Sequence, residues 1–150
     1  MTSSEPISEL YSRKILGFAS DIPHLGHLEN PDASGHAVSR LCGSEVQVDI
    51  CVKDGLITAF SQEVKACALG QTSASVVGRH IIGASRAEIN AAQAAMMNML
   101  KHNGPAPDGR FADLEVLEPV RDYSARHASV MLVLDALIEA FDKLETGSAP

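Results

Sequence analysis

The sequence predicts an α+β fold in which a small antiparallel β-sheet of about three strands packs on helices. Three stretches carry that prediction: an alternating apolar hairpin at 45–65, a helix announced by a capping signal at Ser85, and an apolar helical stripe between Ser124 and Leu144.

In chain order, residues 1–6 read as a loose tail, 7–144 as a single domain and 145–150 as a second tail ending in TGSAP. Ile7 to Phe18 is expected to be a short helix, with Leu10, Ile15, Leu16 and Phe18 as a broken apolar stripe. Asp21-Ile22-Pro23-His24-Leu25-Gly26 follows as a loop, because Pro and Gly punctuate it. A weak edge strand is expected near Gly35 to Leu41. The clearest β signal is EVQVDICVKDGLITAFSQEV, where Val46, Val48, Ile50 and Val52 alternate with polar residues and share one face. Lys53-Asp54-Gly55 supplies the turn, since Asp-Gly tolerates the positive φ that a tight hairpin needs. Leu56 to Lys65 then returns antiparallel.

After Cys67 the chain turns helical, with Val76, Val77, Ile81 and Ile82 expected on one apolar face up to Gly83. Ser85-Arg86-Ala87-Glu88 fits a capping box, so another helix should start there and stop at Asn103-Gly104. Its Met96, Met97, Met99 and Leu100 read as adaptable core packing. Asn103 to Arg110 is a loop, and Phe111 to Leu117 a short helix. The final helix presents Val130, Leu134, Leu137, Ile138 and Phe141 as its buried stripe, with His127 and Ser129 in its first turn.

Composition limits the function. With 150 residues the chain suits one domain, and 45% apolar with 21% charged residues is ordinary for a globular protein. Four Phe, two Tyr and no Trp leave the core to aliphatic side chains and Met. The formal charge of −7 disfavours a phosphate backbone, so nucleic acid is not an expected partner. No apolar run is long enough for a bilayer, and the first twenty residues lack a signal-peptide core. A cytoplasmic location and reduced thiols are therefore expected, and the three cysteines do not suggest a disulfide framework.

Those cysteines differ in setting. Cys51 lies inside a strand and reads as a partly buried structural thiol. Cys42 precedes the first hairpin strand and Cys67 follows the second, so a hairpin should bring them together at one end of the sheet. Cys67 also opens a helical segment, where backbone N–H groups favour a thiolate and hence metal binding or nucleophilic attack. His127 reads either as a backbone-bonded helix-start histidine or as a substitute ligand. His24, His27 and His36 read as solvated, and His80 and His102 as structural.

Several motifs line up along nearly the whole chain. Tyr11 to Leu16 followed by Pro23-His24-Leu25-Gly26, then Cys42-Gly43-Ser44, then Cys67 with Thr72-Ser73-Ala74-Ser75, then Leu114-Glu115 through Ala125-Arg126, and last Met131-Leu132 with Asp135-Ala136 occur in order. Together they resemble the iron–sulfur cluster assembly scaffolds of the IscU, SufU and NifU N-terminal-domain family. That resemblance implies an IscU/SufU-like fold with three cysteines and an aspartate at one end. In its register the third cysteine falls on Ser129, the histidine that often precedes it on Ala128, and the aspartate of the CGD motif on Ser44.

The resemblance implies a scaffold rather than an enzyme, accepting sulfur and iron at Cys42 and Cys67, with Cys67 as the candidate persulfide acceptor and His127 as a weak third metal ligand. The implied cofactor is a transient iron–sulfur cluster or zinc, with no cofactor at all as the other case. Implied partners are a cysteine desulfurase and recipient apoproteins, and because one chain offers too few ligands for a metal, a second copy of the chain is a further expected partner. Two other readings stay open: a degenerate, cluster-free interaction subunit, and a sulfurtransfer protein working through Cys67 with His127 as base.

Overall fold

The computed structural model describes residues 12–41 and 43–147. The tail expected at 1–6, the start of the first helix and Cys42 lie outside the described residues.

Helix α1 (Arg13–Ala19) is capped by the Ser12 hydroxyl, which accepts from the Ile15 N–H, and it buries Ile15. Strands β1 (Ala33–Ser39), β2 (Ser44–Lys53) and β3 (Leu56–Lys65) form one antiparallel sheet in the order β1-β2-β3. The edge strand thus starts earlier than the sequence suggests. Asp54 and Gly55, with φ of 55° and 79°, form the two-residue turn that the right-handed twist of a hairpin favours. Val46, Val48 and Ile50 are buried on one face as their alternation requires, but Val52 is not. Pairing shifts at this point, Cys51 facing Ala59 and Val52 facing Ile57, so Thr58 of β3 is the extra residue of a bulge, and Val52 packs at the margin of the core only half-buried.

The free edge of β3 is covered. The segment after α1 lays His24 and Gly26 along Gln62: Gly26 N–H donates to the Gln62 carbonyl and Gln62 N–H to that of His24. Gln62 itself is fully buried, its amide donating to the carbonyls of Pro23 and Ala74 at 3.1 Å each. Across the sheet, Asp49 accepts from the Leu28 N–H and from the hydroxyls of Ser34 and Ser61, which ties the same segment to β2.

Helix α2 (Ala68–His80) begins directly after Cys67 and buries Val76 and Val77, with Ile81 buried just past its end. Ile82, expected on that face, is 45% exposed, because the helix has ended and its periodicity with it. Helix α3 (Arg86–His102) carries both halves of the capping box between Ser85 and Glu88 and stops at Asn103 in the left-handed conformation. Met96, Met99 and Leu100 are buried, whereas Met97 faces out. Between Gly109 and Asp122 the chain runs in 3₁₀ turns rather than as the short helix expected at 111–117. Pro119 lies within them and has no N–H to donate to a regular helix.

Helix α4 (His127–Thr146) is the centre of the molecule, running two residues beyond Leu144 to a left-handed Gly147. It packs on β1 and β2 with one side and on α2 and α3 with the other. Met131, Leu132 and Val133 are therefore buried alongside Val130 and Leu134, and Ile138 is only half-buried. The helix crosses β1 tightly at Gly35, where a Cβ would stand 1.9 Å from the Ala136 carbonyl oxygen. Among the described residues, no helix is long and apolar enough to cross a membrane.

Candidate functional site

Register fixes one end of the sheet. Ser39 pairs with Ser44 and Glu45 with Lys65, so the β1–β2 turn and the β3–α2 junction share that end. Leu41 and Gly43 belong to the turn, and Gly43 N–H donates to the Ser39 carbonyl. The expected meeting of the Cys42 and Cys67 sulfurs lies outside the described residues.

Cys67 is the residue from which α2 starts: its extended backbone (φ −69°, ψ 173°) makes it the N-cap. The half-buried, unbridged thiol makes no side-chain capping bond, yet the N–H groups of Gly70 and Leu69 face it. Its near neighbour across the core is Ser129, whose Oγ lies 3.4 Å from Sγ. Burial pushes the Cys67 thiol up. The Ser129 hydroxyl, the N–H groups of Gly70 and Leu69 and the positive charge of Arg126 together outweigh burial and hold it below the ordinary cysteine value.

The helix starts are bolted together by small polar residues. Ser73 Oγ donates to the Val130 carbonyl at 2.6 Å, joining α2 to α4 one turn from the site. Thr72 Oγ1 donates to the carbonyls of Ile15 and Ala68, which holds α1 against the same turn. Gly70 leaves the space that Ser129 occupies: a Cβ on it would come within 2.7 Å of Ser129 Oγ. The Thr72-Ser73-Ala74-Ser75 run, one of the motifs of the family resemblance, thus holds the helices together at this end.

Ser129 is 1% exposed and meets Cys67, and Ser44 is 2% exposed at the first position of β2. His127 is 7% exposed, and its Nε2 sits 3.0 Å from the Val120 carbonyl and 3.1 Å from that of Arg121. Two carbonyl partners make that nitrogen the N–H donor, so His127 pins the 3₁₀ turns to α4. That use of Nε2 agrees with the reading of His127 as a backbone-bonded histidine at the helix start. Cys51 sits far along β2 opposite Ala59, its Sγ near the Asn30 carbonyl. The three histidines expected to be solvated are exposed, and each also has a neighbour: His24 stands edge-on to Phe60, His27 lies between Asp49 and Glu63, and His36 meets Glu45 at 2.8 Å. Among the described residues, no group of three His, Cys, Asp or Glu side chains is placed to hold a metal ion. Gly70 was not picked out from sequence and leaves no signal without its spatial neighbours; Arg126 entered only as part of the Ala125-Arg126 motif, with no role given to its charge.

Comparison with known proteins points in one direction. The profile of the NifU-like N-terminal domain matches residues 10–130. IscU of Thermotoga maritima, described as an iron–sulfur cluster assembly scaffold protein, is 25% identical over 135 residues, spanning 90% of this chain and 94% of that one. The crystal structure of a nitrogen-fixing NifU-like protein (N-terminal) from Brucella abortus superposes with a TM-score of 0.93 at 50% identity, covering 95% of this chain and 99% of that one. A SufU protein of Fervidobacterium islandicum shares the fold, with a TM-score of 0.80 at 22% identity over 93% of this chain and 98% of its own.

Proposed function

The chain belongs to the NifU-like N-terminal domain family, and from that premise we propose that it serves iron–sulfur cluster assembly as a scaffold, receiving sulfur at Cys67. The observation that carries the reading is the setting of Cys67: a half-buried thiol at the start of α2, held below its ordinary value beside the Ser129 hydroxyl. A thiolate is the form that attacks a sulfane sulfur or binds iron. Cys42 is the second expected thiolate of the site, by its place in the motif.

The cluster is cargo here, and its sulfur would come from a cysteine desulfurase through a persulfide. Attack by the Cys67 thiolate on the outer sulfur of the donor's persulfide forms a new S–S bond at Cys67 and releases the donor cysteine as thiolate. The guanidinium of Arg126 favours anions at this position. A recipient apoprotein would then take the product. Zinc, the other candidate occupant, prefers four protein ligands in a structural site, more than the described residues gather.

An anaerobic mixture of desulfurase, cysteine, ferrous iron and this chain tests the reading. A thiolate-to-iron absorption band should grow in that mixture and vanish with Cys67→Ser or Cys42→Ser. If desulfurase turnover proceeds and the band is no stronger than without the chain, the scaffold reading fails.

A further inference from the structure

We propose that Ser129 is a specificity-determining residue of this site: it leaves Cys67 able to take a sulfur atom and pass it on, and denies the chain a third thiolate with which to close and keep a cluster. The inference rests on the scaffold reading above and refines which cargo a single chain can retain.

The chain has three cysteines, and Cys51 is spent far along β2 beside Asn30. Wherever Cys42 lies, one chain brings at most two thiolates to a cargo that takes four in a [2Fe–2S] centre. Ser129, His127 and Ser44 do not make up the difference. Ser129 offers a hydroxyl, which stays protonated at neutral pH and is a donor to the thiolate rather than a competitor for iron. His127 has committed Nε2 to two carbonyls, and Ser44 is buried where β2 begins.

Packing makes the hydroxyl a fixed part of the site. Ser129 Oγ occupies the space left by the missing side chain of Gly70, within 2.7 Å of where a Cβ would be, and it lies 3.4 Å from Cys67 Sγ. The buried side of Cys67 is therefore closed by one small donor, while the sulfur itself is only half-buried. That geometry suits a thiolate that meets one sulfur atom at a time. Loading is Cys67–S⁻ plus a donor R–S–SH, giving Cys67–S–SH and R–S⁻. Unloading is attack of an acceptor thiolate on the outer sulfur, giving the acceptor persulfide and Cys67–S⁻. Each step breaks one S–S bond and forms one, with no net oxidation or reduction.

The test uses the full chain and two probes. Anaerobic incubation with inorganic polysulfide should add sulfur to Cys67, seen by peptide mass spectrometry and lost on adding a small thiol. Separately, the chain is mixed with ferrous iron and sulfide and passed through gel filtration in thiol-free buffer. The parent should lose its iron, while Ser129→Cys should retain at least about tenfold more, as a third thiolate predicts. A parent that keeps iron as well as Ser129→Cys overturns the inference and leaves the scaffold reading intact. Absence of sulfur on Cys67 removes both. If the parent takes sulfur but Ser129→Cys also loses its iron, Ser129 is not the determinant and the inference falls. Should Ser129→Cys fail to fold by circular dichroism, the parent decides alone: iron surviving gel filtration overturns the proposal.

Discussion

Gly35→Ala would add one methyl group where α4 crosses β1, and its cost follows from the spacing there. The new Cβ would sit 1.9 Å from the Ala136 carbonyl oxygen and 2.8 Å from the Ala140 amide nitrogen. Both atoms are helix backbone, so no rotamer change can relieve the contact. Reaching even a tight contact near 3.2 Å needs a retreat of about 1.3 Å by α4 or β1. Around this point Ala136, Leu137 and Ala140 are all buried against neighbours, so the retreat opens gaps elsewhere. Overpacking by a methylene costs roughly 1–3 kcal/mol, and a backbone clash belongs at the top of that range. At about 2–4 °C per kcal/mol for a chain of this size, Gly35→Ala should lower Tm by roughly 6–12 °C. Gly17→Ala is the control: it lies within α1 with nothing within 4 Å of its Cβ, and should be neutral or stabilising by up to about 1 kcal/mol. Thermal denaturation followed by far-ultraviolet circular dichroism reads both. A Gly35→Ala protein melting within a degree of the parent would refute the close crossing, and with it the packing that carries Ser129 to Cys67.

Three further outcomes follow from the same structure. Burial raises the Asp135 carboxyl, against the hydrogen bond that Gln93 donates to it at 2.7 Å, so this group favours the fold only while protonated and opposes it as pH rises through the raised value. Asp135→Asn should therefore match the parent in acid and exceed it at neutral pH by up to about 1 kcal/mol in urea titrations; an unchanged difference across pH contradicts the assignment. Ser85→Ala should cost about 1 kcal/mol, because it removes one half of the capping box at the start of α3, and equal urea midpoints would argue against that cap. Ser129→Ala takes away a donor to the Cys67 sulfur, so alkylation of Cys67 by iodoacetamide at neutral pH should slow several-fold, and an undiminished rate would show that the hydroxyl does not hold the thiol down.

What could be read in advance depended on whether the signal was local. The hairpin was legible because Val46, Val48 and Ile50 alternate and Asp54-Gly55 can take positive φ. The start and stop of α3 were legible because Ser85, Glu88 and Asn103 act on their own backbone. Burial on all sides of α4 was underestimated: a stripe predicts one covered face, whereas this helix is covered by the sheet and by α2 and α3. Gln62 gave no sign of being core, since the carbonyls that accept from its amide nitrogen belong to Pro23 and Ala74 on other elements. The site divides in the same way. Cys67 at a helix start and Ser129 in the first turn of α4 could be placed from motif and register. Their 3.4 Å contact, the space provided by Gly70 and the carbonyls that occupy His127 exist only once distant segments meet.

The role of Cys67 as the point where sulfur enters is the central claim, and a labelled-sulfur experiment tests it most directly. The full chain is incubated anaerobically with a cysteine desulfurase and sulfur-labelled cysteine, then alkylated, digested and mapped by mass spectrometry. The account predicts labelled persulfide on Cys67, none on Cys51, and a Cys67→Ser chain whose remaining thiols do not take its place. Desulfurase turnover that leaves Cys67 unlabelled, or that labels Cys51 instead, would contradict it.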